Sequence, residues 1–329
     1  MQNAERAMFL VQTSLRFTLP RPKGTAYDTG KEVGVKYLAF GEILFDVFPD
    51  KRTLGGAPLN VAAHLSKLGG EGAIVSAVGD DELGREARKE IMSFGLDESY
   101  LKTSAYPTGR ADISLVGKNA DYTFNEPCAW DDITLVKAPE SRYDLIYFGT
   151  LAQRGATSRD TLEDLLSSVP SREVFFDVNI RKRFYTEDII HRGLEYATIL
   201  KMNDEELPLI SSLSGGPEAN EERMVRFLMD EYRIPVVLLT KGKHGSTCYQ
   251  EDKKIDMPCG DVPVADTVGA GDSLSAGFLT SYLATNDAKK ALAVGSTLAD
   301  YVCAHRGAIP PYDQQITRFL LEQGIPVRR

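Results

Sequence analysis

Short runs of β-branched and other apolar residues alternate along this chain with segments whose apolar positions recur at helical spacing. That alternation is the pattern of a mainly parallel sheet covered by helices on both faces, because each parallel strand needs a long crossover and a helix supplies it. Residues 35–40, 73–78, 145–148, 174–178, 198–201 and 236–240 read as core strands, apolar on both faces as buried parallel strands are. Between the first two, Val61, Leu65 and Leu68 fall on one face, with Pro58 at the start and Gly69 at the end of the predicted helix. Leu83, Ala87, Ile91 and Phe94 mark a second helix ending at Gly95, and residues 221–232 a third that leads into the strand at 236.

Two stretches break this rhythm. Residues 45–54 and 110–124 carry short alternating runs joined by the turn-like Asp50-Lys51 and Lys118-Asn119, and they predict a small β element beside the main sheet. No repeat and no linker is evident, so the 329 residues suit one continuous domain from about Val35 onward. Residues 1–34 read as an extension ahead of it. The apolar part is broken by Gln12, Ser14 and Arg16, which favours a poorly ordered segment over a cleaved signal.

Composition narrows the function. The chain is 43% hydrophobic and 26% charged, ordinary for a folded globular protein. A formal net charge of −9 argues against nucleic acid or an anionic membrane as the main partner, yet leaves room for a nucleotide held by local amides. No stretch approaches the ~18 to 20 apolar residues of a membrane span. The four cysteines form no C-x-x-C pair and the histidines add no metal spacing, so free thiols in a reducing, cytoplasmic compartment are expected.

The segment richest in chemistry is Asp266-Thr267-Val268-Gly269-Ala270-Gly271-Asp272, which reads as a glycine-rich turn opening a helix. Unpaired amides at such a start, reinforced by the helix dipole, suit phosphate oxygens, and Gly269 and Gly271 allow close approach. Asp272 then stands where an acceptor hydroxyl meets the phosphoryl group and can take its proton, with a pKa that the helix start is expected to lower. A tight turn with Asp272 as a helix cap is the plainer alternative.

D-T-x-G-A-G-D resembles the C-terminal signature of the PfkB/ribokinase carbohydrate kinases. Gly55-Gly56-Ala57-Pro58-Leu59-Asn60 resembles the N-terminal glycine signature of that family in the form fructokinases carry. The resemblance runs from Lys36 to Pro310 with its motifs in family order. It implies a ribokinase-like α/β fold, a central mainly parallel sheet with helices on both faces plus a small β lid, formed here by residues 45–54 and 110–124. It also implies ATP and Mg2+ as cofactors, a sugar as the small-molecule substrate, and a homodimer through the lid.

Carried over residue by residue, Gly55, Gly56, Asn60 and Asp46 become sugar contacts, glycines admitting a polyol to the backbone and Asn60 offering donors and acceptors. Asp272 becomes the base, and the amides of Gly269, Ala270 and Gly271 together with Arg181, from Asp177-Val178-Asn179-Ile180-Arg181, meet the transferred charge. Asn203 and Glu206 of the N-x-x-E element organise magnesium through water. Asn203, Thr240, Gly242, Gly245 and Gly271 line the ATP, and Asp266 and Thr267 contact a monovalent cation, K+, in members that use one.

Plainer readings stand beside these: Asn60 on a capping turn, Asp46 as a turn acid, Arg181 in a solvated run with Lys182 and Arg183, and Asn203 as a helix cap that could serve both ends. His64 and His305 read as packing or surface residues. The run 125–130, with Trp130, resembles a fructokinase loop without a derivable role. The expected reaction is phosphorylation of fructose to fructose 6-phosphate. A 2-keto-3-deoxygluconate kinase, a ribokinase, a nucleoside kinase and a catalytically idle binding module are the alternatives.

Overall fold

The computed structural model of the chain describes residues 34–116 and 119–328. The extension expected over 1–34 thus lies, apart from Gly34, outside the described residues, as does Lys118 of the second turn.

The chain runs from β1 (Lys36–Phe40) through β2 (Leu44–Val47) and β3 (Arg52–Gly55) into α1 (Ala57–Lys67), then β4 (Glu71–Gly79), α2 (Glu82–Ser93) and β5 (Leu101–Ser104). There follow β6 (Gly109–Val116), β7 (Asn119–Phe124), β8 (Tyr143–Gly149), α3 (Ala156–Ser168), β9 (Ser171–Asp177), α4 (Glu187–Tyr196) and β10 (Ile199–Asn203). The remainder is α5 (Glu206–Leu213), α6 (Glu221–Tyr232), β11 (Val236–Thr240), β12 (Ser246–Gln250), β13 (Lys253–Met257), α7 (Ala270–Thr285), α8 (Ala288–Cys303) and α9 (Gln314–Glu322).

One sheet has the order β13-β12-β11-β10-β9-β8-β1-β4-β5. From β5 to β11 every pairing is parallel, and the β12–β13 hairpin closes that edge antiparallel. Alternate residues of β1 divide between two cores, as the strand period requires. Tyr37 and Ala39 pack with residues of α1, α2, α7, α8 and α9 on one face, whereas Leu38 and Phe40 pack with α3, α4, α5 and α6 on the other. The six strands expected from apolar runs are all present, β11 residue for residue. The short β5 and the lysine-bearing β13 offered no such run, and α3 buries only Ser158, Leu162 and Leu165 of its thirteen residues, too few for a clear stripe.

The two stretches that break the rhythm meet in a second sheet of order β3-β2-β6-β7. The Phe48 amide donates to the Lys51 carbonyl at 2.8 Å in the β2–β3 turn. Its register sets Asp46 opposite Thr53 and Ala111. Among the described residues no helix is long and apolar enough to cross a membrane.

Two helix entrances depend on glycine. Gly56, at φ 115°, precedes α1, and a Cβ there would lie 2.3 Å from the Glu42 carbonyl oxygen. Gly269, at φ 77°, precedes α7, and a Cβ there would lie 2.6 Å from Ala308 Cα. His64 ties α1 to the same Ala308: its Nε2 lies 2.9 Å from the Ala308 carbonyl oxygen and its Nδ1 2.7 Å from the Tyr312 hydroxyl. A carbonyl only accepts, so Nε2 carries the proton and Nδ1 accepts from Tyr312. Burial pushes His64 down to about 4, so the ring is neutral when the protein is folded.

His64→Leu should cost about 2–4 kcal/mol in urea unfolding at neutral pH, since it strands a buried hydroxyl and a buried carbonyl. The unfolded His64, titrating near 6.5, takes up a proton before the folded one does. Native stability therefore falls as pH drops from 6.5 towards 4, and the native-minus-variant difference should shrink across that window.

Candidate active site

The parallel strands end along one edge of the sheet, where open α/β sheets gather their ligands. There Lys201 of β10 and Asp177 of β9 stand directly opposite each other in the register. Lys201 Nζ lies 2.9 Å from both Asp177 carboxylate oxygens, and the Tyr147 hydroxyl donates to Oδ2 at 2.9 Å. All three side chains are buried. Burial would depress Lys201, but the facing carboxylates of Asp177, Asp272 and Glu206 hold it above its ordinary value. The sequence reading gave this pair no role. The available signal was a charge within each of the predicted runs 174–178 and 198–201.

Gly271 sits on top of the pair, a Cβ there falling 3.3 Å from Lys201 Nζ. Asp272, in the first turn of α7, accepts at Oδ2 from Asn60 Nδ2 of α1 at 2.8 Å. It does not cap its own helix. Its pKa is raised, against the expectation of a lowered one. Burial is the largest cause, Asp177 adds to it, and Lys201, Asn60 and Arg181 pull the other way. Among the described residues the amides of Gly271 and Asp272 meet no acceptor, whereas the Ala270 amide turns back to the Thr267 carbonyl at 3.3 Å.

Asn60 and Glu42 act on Asp272 directly, and Asp46 shares the field of Arg181 with it. Asn60 is 5% exposed, and its Oδ1 is buried without a partner among the described residues. Asp46 Oδ2 lies 3.3 Å from the position of a Gly55 Cβ, so the bare glycine leaves space beside that carboxylate. Burial pushes Asp46 up to about 6, with Arg181 opposing. Glu42, to which the sequence motifs assign no role, is 3% exposed. Burial pushes it up to about 7, while backbone amides including that of Ala57 and the charge of Arg181 oppose and Asp272 adds. Arg181 is the exposed cation whose field reaches Glu42, Asp46 and Asp272 together.

The loop that carries Arg181 is fastened by Glu206. Its Oε1 accepts from the Ile180 amide at 2.8 Å and its Oε2 from the Asn203 amide at 2.9 Å. Asn203 Oδ1 accepts in return from the Glu206 amide at 2.7 Å, a reciprocal cap at the start of α5. Asn203 stands opposite Thr240, and the Thr240 carbonyl accepts from the Asp204 amide at 3.0 Å. Gly242 and Gly245 close the next turn, where the Lys241 amide reaches the Gly245 carbonyl at 2.9 Å.

Asp266 uses Oδ1 on the Val268 amide at 3.1 Å and Oδ2 on the Gly307 amide at 3.2 Å, with Thr267 exposed beside it. His305 Nδ1 lies 2.7 Å from the Tyr301 carbonyl of its own helix turn. Among the described residues no group of three or more His, Cys, Asp or Glu is disposed to hold a metal directly.

Residues 34–315 match the pfkB family carbohydrate kinase profile. A fructokinase of Rhizobium leguminosarum bv. trifolii is 30% identical over 262 residues, covering 74% of this chain and 78% of that protein. A nucleoside kinase of Methanocaldococcus jannaschii is 26% identical over 275 residues, covering 82% and 86%. Among solved structures, the fructokinase from Vibrio cholerae O395 in its fructose, ADP and calcium ion bound form superposes with a TM-score of 0.77 at 22% identity. That match covers 87% of this chain and 99% of the other and bears on the fold alone.

The buried Glu42 carboxyl gives a direct test of the site's electrostatics. Its folded value of about 7 lies above the ordinary 4.5, so the folded state holds this proton longer and stability declines as pH rises between the two. The gap corresponds to on the order of 3 kcal/mol. Glu42→Gln should therefore be more stable than the native protein at about pH 8 and equal to it near pH 4.5 in urea unfolding.

Proposed function

The chain belongs to the pfkB family of carbohydrate kinases, and on that premise we propose that it transfers the γ-phosphoryl group of ATP to a hydroxyl of a neutral sugar, fructose giving fructose 6-phosphate. The observation that carries this reading is Asp272, buried, hydrogen-bonded by Asn60 and set at the amide-lined start of α7. Burial makes its carboxylate a better proton acceptor than an exposed aspartate. In this reading Asp46, Gly55, Gly56 and Asn60 hold the sugar, the unpaired Asn60 Oδ1 accepting from a hydroxyl. Asp272 takes the proton of the reacting hydroxyl. The free amides of Gly271 and Asp272, with Arg181, face the charge that develops on the transferred group.

The balance of acceptors and cations supports a neutral sugar. Glu42, Asp46, Asn60 Oδ1 and Asp272 all accept, and they suit hydroxyl donors. Two buried cations are already committed, Lys201 to Asp177 and Arg154 to Asp131. A sugar acid such as 2-keto-3-deoxygluconate would bring a second anion to a site with Arg181 as its exposed counter-charge. Ribose and nucleosides are neutral too, and the likeness to a nucleoside kinase makes adenosine a necessary comparison.

Thr240, Gly242, Gly245 and Asn203 are the proposed nucleotide contacts. Glu206 has spent one lone pair of each oxygen on an amide, so it and Asn203 fit Mg2+ held through water rather than directly. The metal's part is to neutralise phosphate charge. Asp266 and Thr267 are the proposed contacts of K+. The sheet of β2, β3, β6 and β7 acts as a lid that excludes water from the transfer and, in our reading, as the contact of a homodimer.

ADP release with magnesium and ATP should be highest with fructose in a panel of fructose, ribose, 2-keto-3-deoxygluconate and adenosine. Asp272→Asn should lower kcat by about 10²–10⁴-fold while calorimetry still detects sugar binding. Preference for another acceptor would replace fructose and keep the kinase, whereas an idle binding module predicts that Asp272→Asn changes nothing.

Because Asp272 must be ionised and burial raises its pKa, kcat/KM should fall on the acid side with an inflection above the ordinary aspartate value of 3.8. A profile flat down to that value would remove Asp272 as the base.

A further inference from the structure

Arg154 ends the single 3-10 turn Leu151–Arg154 that follows β8, and no part of the proposed chemistry uses it. Its side chain is 8% exposed. Nε and Nη2 fork onto Asp131 at 2.7 and 2.9 Å, and Nη2 also reaches the Asn125 carbonyl at 2.9 Å and Cys128 Sγ at 3.3 Å. The guanidinium carbon lies over two rings, 3.6 Å from the Trp130 centroid and 4.9 Å from that of Phe184. Among the described residues two buried donors here have no partner, Arg154 Nη1 and Trp130 Nε1. The carboxylate nearest Nη1 is that of Glu126, 4.0 Å away and half exposed.

An arginine buried with one donor unspent is a poor device for stability, since apolar packing in its place would cost less desolvation. What it does geometrically is join three segments. Trp130 presses on Gly109, where a Cβ would lie 2.2 Å from Nε1, and Gly109 pairs with Leu44 at the start of the strand that carries Asp46. Asn125 clasps the neighbouring residues, accepting from the Arg110 amide at 2.8 Å and donating to the Thr108 carbonyl at 3.1 Å. Phe184 meets Phe124 of β7 edge-on at 5.7 Å, and its amide donates to the Arg181 carbonyl at 3.1 Å. Arg154 thus reaches the strand bearing Asp46 through Trp130 and Gly109, and the turn bearing Arg181 through Phe184.

We propose that Arg154, over the rings of Trp130 and Phe184, is a positioning residue that locks the root of the second sheet to the Arg181 turn and so sets the approach of Asp46 and Arg181 across the sugar site. This rests on the kinase reading of that site. Lysine cannot replace it, because an ammonium has neither the planar face for two rings nor the fork for Asp131. A small misplacement of a binding group costs far more in sugar affinity and transfer than in folding.

Trp130 is the chain's single tryptophan, so its emission reports on this hub alone. Fructose added without nucleotide should change the emission of the native protein. Arg154→Lys should raise KM for the sugar at least about tenfold, with KM for ATP within about twofold, and should shift the fluorescence titration by the same factor. Phe184→Leu, which keeps apolar bulk and removes the stack, should move sugar KM in the same direction should the lysine variant fold poorly. Unchanged sugar KM in either folded variant, equal changes in both KM values, or an emission blind to sugar in an active native enzyme would each overturn the proposal. A native enzyme that phosphorylates no acceptor removes the kinase reading and this role together.

Discussion

The buried pair of Lys201 and Asp177 is the interaction on which the rest of the site is built. The two residues face each other across neighbouring parallel strands, and Tyr147 completes the carboxylate from a third. Taking both charges out of water costs several kcal/mol per ion, so neither could stand there alone, and each enforces the register of the other's strand. The lysine also faces Asp272 and Glu206, which makes one ammonium the common counter-charge for β9, α5 and α7. Gly271 acquires a second reason from this. In the proposed kinase reading the residue is small so that a phosphate can approach from outside, and a Cβ there would also crowd Lys201 Nζ at 3.3 Å.

Burial decides the electrostatics of the cluster, and a comparison of magnitudes shows why a sequence argument from the helix start points the wrong way for Asp272. A helix terminus stabilises an adjacent carboxylate by about 0.3–1 kcal/mol when exposed and up to ~2 when partly buried. Removing a carboxylate from water costs several kcal/mol before compensation. Lys201, Asn60 and Arg181 recover part of that cost for Asp272, and Arg181 recovers part for Glu42 and Asp46, but the direction stays upward for all three. Arg181 from the solvent side and Lys201 from below leave a shell whose inner surface is rich in acceptors.

Local spacing carried the fold well where apolar runs were long and buried on both faces, as in β1, β8 and β11. It failed at the sheet's edges, because β5 and β13 bury too little to leave a pattern. Motif positions were legible for the same reason that they are compact: the turns at 55–60 and 266–272 need glycines at fixed offsets. What spacing cannot show is which distant residues meet. Asn60 and Asp272 are 212 residues apart and share a hydrogen bond. Lys201 and Asp177 look in sequence like flaws in two strands, and Glu42 like the end of one. Trp130 and Arg154 give no signal until Gly109, Phe184 and Asp131 are seen around them.

The joints between the two sheets are themselves part of the site. Two of the connections of the second sheet are residues 41–43, between β1 and β2, and Gly56, between β3 and α1. These joints touch, because Gly56 lies so close to Glu42 that a Cβ would meet its carbonyl oxygen. Displacing β2 and β3 relative to α1 must therefore pass through Glu42, whose carboxyl responds to Arg181 and Asp272. Asn60 is anchored on the other side of the joint, since α1 is pinned four residues further on by His64 to Ala308, against which Gly269 packs. The proposed sugar contacts thus divide between Asn60 on α1, which His64 pins to Ala308, and Asp46 on β2. Arg181 acts on Asp46, Glu42 and Asp272 alike, so the charge balance at Asp272 is tied to the strand that carries Asp46.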